Sequence, residues 1–459
     1  MTILLLIFLI FLPPTLFLTW YLHVPRTFPP LPKIPIYVSI LGLWSSMGQD
    51  EIYDRWFRMP LETHGAVIVW FGGRWSILVS RPDLLTDLFR NENLYAKAGS
   101  QIKIPHAVIA TLVGDNIINS HENWKLFTSI MKPGLQKKVF DTTSLLRQSR
   151  KLVDVLISSQ SISVGESILV NDDVQKWAVD VMGENFLDLD FESLGHPNNH
   201  VRLESLQSII KATLFKPMYF SFPDLDRFTW LLPSRKRAYE IMHEFDNRLF
   251  AKTMQMINQR ANSNEKSEEM VSHMLAEAFL SKQITEKQFR DNLKITFLTA
   301  HENAQQLVNS MFWQLGTRLD IQSRLRAEII ATSLVHPDPS QDIINTLPYL
   351  TSVVLELLRL FPPVSQLINR VATEPALLGG TLLIPKGTFV GWNAWAVHSN
   401  TAVWGADARE FRPERVSWVV DSGYRLKMTP VGLSLRSEDW YRADEKRVEY
   451  WLPWVVELS

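Results

Sequence analysis

Cysteine is absent from all 459 residues. That zero excludes disulfides, thiolate zinc sites, iron–sulfur clusters, cysteine nucleophiles and thiolate-ligated haem. An excess of one charge is missing as well: 47 Lys and Arg stand against 48 Asp and Glu, for a net charge of −1. Such a balance gives no support for a nucleic-acid partner, which normally selects a clear basic excess. The chain also lacks a Gly-x4-Gly-Lys phosphate loop, a Gly-x-Ser-x-Gly elbow, a Gly-x-Gly-x-x-Gly turn and a His-Glu-x-x-His pair. Its 11 histidines fall at no zinc-like spacing, so no metal ligand set is expected.

What is present is ample apolar material. Hydrophobic residues make up 46% and charged ones 21%, the mix of a globular protein with a sizeable core. From Met1 to Pro25 there is no Asp, Glu, Lys or Arg, and Ile3 to Leu22 is almost wholly apolar. A run of this length crosses a bilayer core of ~30 Å, and the prolines 13 and 14 are tolerated there. No basic segment precedes it and no small-x-small cleavage site follows, so residues 1–25 are expected to be a transmembrane anchor. The first cations, Arg26 and Lys33, lie after the run, which puts the bulk of the chain on the cytosolic side. Residues 26–36, with Pro29, Pro30, Pro32 and Pro35, read as an extended, semi-rigid hinge.

Behind the hinge no repeat or low-complexity linker divides the chain. Ala66 to Phe71 and Trp75 to Ser80 flank Gly72-Gly73-Arg74, the pattern of a β-hairpin. Pro82-Asp83 opens a helix with Leu84, Leu85, Leu88 and Phe89 on one face. Most of the stretch from 140 to 360 keeps a helical period, broken by the polar loop 261–266. Short strands return between Thr381 and Val390 around Pro385-Lys386-Gly387. The expected architecture is mainly α with a small β-rich part, in one large domain.

Four segments depart from ordinary patterning. Glu356 and Arg359 lie three apart on one face of a helix stopped by Pro362-Pro363. Alone, such a pair is a surface ion pair worth under ~1 kcal/mol. The Leu and Val around it point to burial and to a third partner, for which Arg415 in Glu410-Phe411-Arg412-Pro413-Glu414-Arg415 is the candidate. Thr299-Ala300-His301-Glu302-Asn303-Ala304 sets an acid among small residues in mid-helix. Gly114-Asp115-Asn116 is followed by Trp124-Lys125, and Arg370 comes soon after the proline pair.

In this order, the segments resemble the cytochrome P-450 superfamily, and the likeness runs from residue 1 to about 416. The resemblance implies a triangular, mainly α fold over residues 37–416, and a haem cofactor. It gives Glu356, Arg359 and Arg415 a structural role as a buried network. It makes Glu302 the acid of oxygen activation, with Asn303 or Ala304 where the family usually has a threonine. Trp124 and Arg370 match positions that reach the haem propionates, while Thr128 stands where the family has an arginine. Lys125 is expected to point elsewhere on its helix.

By the same resemblance, a Phe-x-x-Gly-x-x-x-Cys-x-Gly loop should follow Val416 and supply the axial thiolate. Residues 417–459 contain neither the pattern nor a cysteine; Tyr424, Met428 and Tyr441 are the conceivable substitutes. The resemblance implies a haem monooxygenase on the endoplasmic reticulum membrane, fed NADPH electrons by a separate reductase. It would insert one oxygen atom of O2 into a small organic substrate of secondary-metabolite type. This chain, with its atypical tail, is expected to be inactive; the alternative is a catalytically dead, membrane-anchored binding partner of the same fold.

Overall fold

The structure is a computed structural model. It describes residues 12, 15–16, 19–45, 47–136, 142–162, 169–194, 203–214, 216–263 and 270–416, and two short strands within 427–434. Most of the expected anchor and nearly all of the tail lie outside these residues. Among the described residues, no helix is long and apolar enough to cross a membrane.

Where the expected anchor and hinge are described, their residues touch the sheet. Tyr21, Leu22 and Val24 pack against Trp70 and Trp75, and Trp75 donates its indole N–H to Leu22. The proline segment lies along β1: Ile34 N–H bonds Ile68 O, and Ile68 N–H returns to Pro32 O. Proline lacks a donor but keeps its carbonyl, which is why this segment can still edge onto a sheet. Helix α1 (Ile36–Trp44) starts at the last residue assigned to the hinge.

Strands β1 (Ala66–Phe71) and β2 (Arg74–Val79) form the expected hairpin, one residue earlier at Arg74 than the sequence suggested. Gly72 and Gly73 have φ of 53° and 76°, the left-handed pair that a two-residue hairpin demands. A Cβ on Gly73 would lie 2.5 Å from the ring of Pro223, so the hairpin tip is seated directly on the 3-10 turn Pro223–Phe228. Helix α2 (Pro82–Arg90) and strand β3 (Tyr95–Lys97) follow. Helices α3 (Ser100–Lys103) and α4 (Val108–Val113) then lead from the sheet into the helical body.

That body comprises α5 (Trp124–Leu135), α6 (Thr142–Ile162), α7 (Asn171–Met182), α8 (Leu203–Leu214), α9 (Pro233–Ser263), α10 (Val271–Leu280) and α11 (Glu286–Thr317). At 32 residues, α11 is about 48 Å long. Thr285 and Gln288 start it with a reciprocal capping box. Its Phe289, Leu293 and Phe297 recur every fourth residue and face the largest apolar core, against Phe245 and Leu249 of α9. Each such side chain contributes ~1.5–3 kcal/mol by burial.

Helix α12 (Leu319–Val335) supplies Glu328, whose carboxylate accepts the free N–H groups of Tyr349 and Leu350. These begin α13 (Pro348–Leu360), which opens on the proline its first turn tolerates. Strand β4 (Gln366–Ala372), the β5 (Ala376–Leu378) and β6 (Leu382–Ile384) pair, and β7 (Phe389–Asn393) complete the β part. The larger sheet runs β1-β2-β7-β4-β3, with β2 and β7 parallel and its other pairs antiparallel. In the tail, β8 (Lys427–Thr429) pairs with β9 (Gly432–Ser434). The outcome is mainly helical with a small β part, as the patterning implied.

One buried ion pair ties the 3-10 turn to the body. Arg235 of α9 grips both oxygens of Asp226 at 2.5 and 2.8 Å, with the two side chains 2% and 1% exposed. Asp226 also takes the Val108 N–H that starts α4. Removing one partner strands the other charge in the core, so Asp226→Ala is expected to cost about 3–5 kcal/mol. Urea unfolding of the variant beside the parent checks this.

Candidate functional site

Three clusters gather the residues singled out in the sequence. The first closes α13. Arg359 bonds Glu356 through two parallel N–H donors at 2.7 and 2.8 Å, and neither side chain is exposed. The remaining guanidinium donors reach the carbonyls of His398 and Ala408 at 2.6 Å each. Arg415 joins Glu356 at 3.3 Å, and Asp407 and the Trp404 carbonyl at 2.9 and 2.6 Å. Burial opposes the charge on Arg415, but the Asp407 and Glu356 carboxylates together outweigh it and hold the guanidinium's pKa above its usual value. The hydrogen bonds from Arg415 in turn keep Asp407 below the usual carboxylate range. Helix, loop and 3-10 turn are thus fastened through a single carboxylate.

The second cluster lies where the sheet meets α5. Lys97 and Arg370 are register partners on β3 and β4, both buried. The Lys97 ammonium stands 4.4 Å above the Trp124 ring, and the Arg370 guanidinium lies 5.7 Å from Phe89. Lys125 does not point away as expected: its ammonium also sits over Trp124, at 5.6 Å. The adjacent residue folds back because its long stem can reach the ring face. Thr128 is partly buried on the same helix.

The turn ahead of α5 explains why Trp124 is placed there. Gly114 has φ of 66°, and a Cβ on it would lie 2.1 Å from Asp291. Asp291 accepts Asp115 N–H, and Asn292 accepts Ile117 N–H, so the turn is docked on α11. Asn116 is fully buried and ties the turn internally, holding Val113 O and receiving Ile118 N–H.

The third cluster is on α11 at mid-length. Glu302 accepts from Lys211 at 2.7 Å and from Gln207 at 2.6 Å, two residues one helical turn apart on α8. Its side chain is 25% exposed, and Asn303 and Ala304 beside it are partly buried. His301 is fully buried, with Nδ1 2.5 Å from the Phe297 carbonyl. Burial drives its pKa down to about 3, so the ring is neutral and Nδ1 is the donor. Glu302 therefore faces α8, whereas Trp124 and Arg370 belong to the sheet junction and Glu356 to the end of α13.

Sequence reasoning missed Lys97, Gln207 and Lys211. Lys97 is legible only through strand pairing. Gln207 and Lys211 have the one-turn spacing of a helix face, but nothing in the sequence names Glu302 as their partner.

The donor set can be compared with the haem that the resemblance implies. A buried cation over an indole, with a second buried cation opposite it on the paired strand, suits anionic propionates. The axial position does not fit: no cysteine exists in the chain, and Tyr424 and Tyr441 lie outside the described residues. Met428 falls in β8, a three-residue strand. The residues present do not make a thiolate-ligated haem site.

Replacing Glu356 or Arg359 with Ala breaks a buried, fully bonded pair and is expected to cost about 3–5 kcal/mol. Arg359→Lys should restore little of it, because an ammonium cannot reproduce the two parallel bonds. Denaturant midpoints of the three variants give the comparison.

Comparison with known proteins agrees with this geometry. The cytochrome P450 family model matches residues 29–419, ending three residues beyond Val416. Cytochrome P450 monooxygenase xanG of Aspergillus fumigatus is 58% identical over 92% of this chain and 88% of its own length. Cytochrome P450-DIT2 of Saccharomyces cerevisiae is 33% identical over 85% of this chain and 78% of its own. The human cytochrome P450 3A5 is 25% identical over 89% and 79%. The chain belongs to the cytochrome P450 superfamily of haem monooxygenases.

Proposed function

We propose that residues 37–416 are the body of a haem-thiolate monooxygenase for a small organic substrate, and that this chain, with residues 417–459 as they stand, is catalytically silent. One observation carries the second half. The Glu356–Arg359–Arg415 network is complete up to Val416, yet no cysteine follows it. A thiolate ligand favours O–O cleavage at haem iron, and a neutral ligand does not do so equally well. No reaction step is assigned to this chain.

What its own residues contribute is positional. The α13 network would hold the core in which the cofactor belongs. Lys97, Trp124 and Arg370 form a cationic edge suited to carboxylates. Glu302 would be the acid of oxygen activation in the intact site, but Lys211 and Gln207 keep it hydrogen-bonded to α8. With Asn303 and Ala304 in place of a hydroxyl side chain, proton delivery would fall to Glu302 and water. The likeness to cytochrome P450 monooxygenase xanG supports the monooxygenase reaction, and a secondary-metabolite type of substrate is proposed with it. An anchor in residues 1–25, attachment to the endoplasmic reticulum membrane and electron supply by an NADPH-dependent reductase complete the proposal.

The full chain, supplied with haem, reduced and exposed to CO, is expected to give no thiolate-type Soret band. Such a band would sink the proposal of inactivity. Sequencing the native transcript across the codons for Glu414 to Ser459 separates the two origins. A transcript with a cysteine-containing loop after Val416 makes the body that of an active monooxygenase. A transcript matching the present tail leaves the membrane-anchored binding protein as the function to be tested.

A further inference from the structure

The ten residues after β3 cross from the sheet into the helical body, and they carry two titratable side chains whose seats suit the neutral form. Lys103, at the end of α3, is buried with its Nζ 2.7 Å from the Phe71 carbonyl and 3.1 Å from Ser76 Oγ. The Phe71 and Phe389 rings lie 5.3 and 5.1 Å away. An ammonium has three N–H groups and an amine has two. The seat offers two acceptors, and no carboxylate pairs with Lys103 among the described residues.

His106 follows three residues later. Its Nε2 lies 2.9 Å from Asp224 Oδ1, yet neither ring nitrogen makes an aligned hydrogen bond. Asp224 is already engaged by Arg74 at 2.7 Å, by Arg227 at 3.1 Å and by the Tyr21 hydroxyl at 2.6 Å. Burial works to raise Asp224, but these hydrogen bonds outweigh it and hold the carboxylate well below its usual range. The neighbouring Asp226 is taken by Arg235 of α9, and Tyr239 of that helix donates to the His106 carbonyl at 2.5 Å. Two guanidiniums thus already share the one carboxylate that faces His106. A proton on either Lys103 or His106 adds charge of the sign in excess.

We propose that residues 100–107 are an acid-released strap, seated against the β1–β2 hairpin and the 3-10 turn while Lys103 and His106 are neutral, and freed as they take up protons. The direction of the titrations agrees. Burial first, then the Arg74 charge, lowers Lys103 from 10.5 to about 7. Burial, then Arg227, lowers His106 from 6.5, with Asp224 in partial opposition. A group whose pKa is depressed when seated gains a proton on release, so release becomes easier as the pH falls. For Lys103 the effect develops below pH 10.5 and levels off under about 7. His106 adds its share below 6.5. Release loosens the join between the sheet and the turn that seats α5, at the place where Tyr21 brings in the N-terminal segment.

Hydrogen exchange of the full chain, read by mass spectrometry and corrected for the intrinsic pH dependence, tests the strap. Opening of the peptide covering residues 98–108 is expected to increase up to about tenfold per unit as the pH falls from about 9 to 7, one proton being bound per opening. The peptide covering α13 is the internal reference and should not share that slope. In Lys103→Met the slope between pH 9 and 7 should vanish while the strap stays protected. In His106→Gln it should survive there and be reduced below about pH 6.5. A slope in the intact chain no steeper than that of α13, or one unchanged in Lys103→Met, overturns the proposal. Should Lys103→Met fail to fold, the intact chain alone decides by the first of these outcomes.

Discussion

The buried carboxylate of Glu356 is the point on which the helical body, the 394–416 loop and the end of α13 all bear. It satisfies Arg359 with two bonds and reaches Arg415 and the Arg412 N–H from the same oxygen. Burying a carboxylate without partners costs several kcal/mol, so the charge fixes its surroundings by demanding them. Arg359 then spends its other donors on carbonyls 39 and 49 residues further on. A sequence that keeps the Glu and the Arg must also keep the loop geometry that supplies those carbonyls.

The rest of the molecule repeats this use of a polar or charged side chain as a fastener. Asp226 and Arg235 hold the 3-10 turn, Glu328 holds the start of α13, and Asp291 with Asn292 holds the turn before Trp124. Asp226 also takes the Val108 N–H, and Asp291 and Asn292 take N–H groups from the turn before Trp124, so these side chains join segments far apart in the chain, where apolar contact alone would allow sliding. Lys103 differs, a buried cation that no carboxylate pairs with among the described residues, and its seat is consequently open to pH. The same physics that makes the first group rigid makes this one responsive.

The Glu302 cluster belongs to neither class. It is partly exposed, so its bonds to Lys211 and Gln207 are weakened by solvent and easily exchanged. A partly exposed acid bridging two helices suits a group that moves between partners better than one that fixes a core.

Sequence alone determined the class of fold, the hairpin at Gly72-Gly73, the helix closed by Pro362-Pro363 and the Glu356–Arg359 pair, because each rests on neighbours within one or two turns of chain. It also determined that no thiolate can be formed, since that is a matter of composition. The tertiary structure decided what those local rules cannot reach. Lys97 meets Trp124 only because β3 pairs with β4 and the turn before α5 is docked on α11. Lys211 meets Glu302 only because α8 lies across α11. Lys103 and His106 read as ordinary polar residues until the hairpin and the 3-10 turn close over them. Burial and partner choice are set by contacts between distant segments, and they turn a residue type into a particular chemistry.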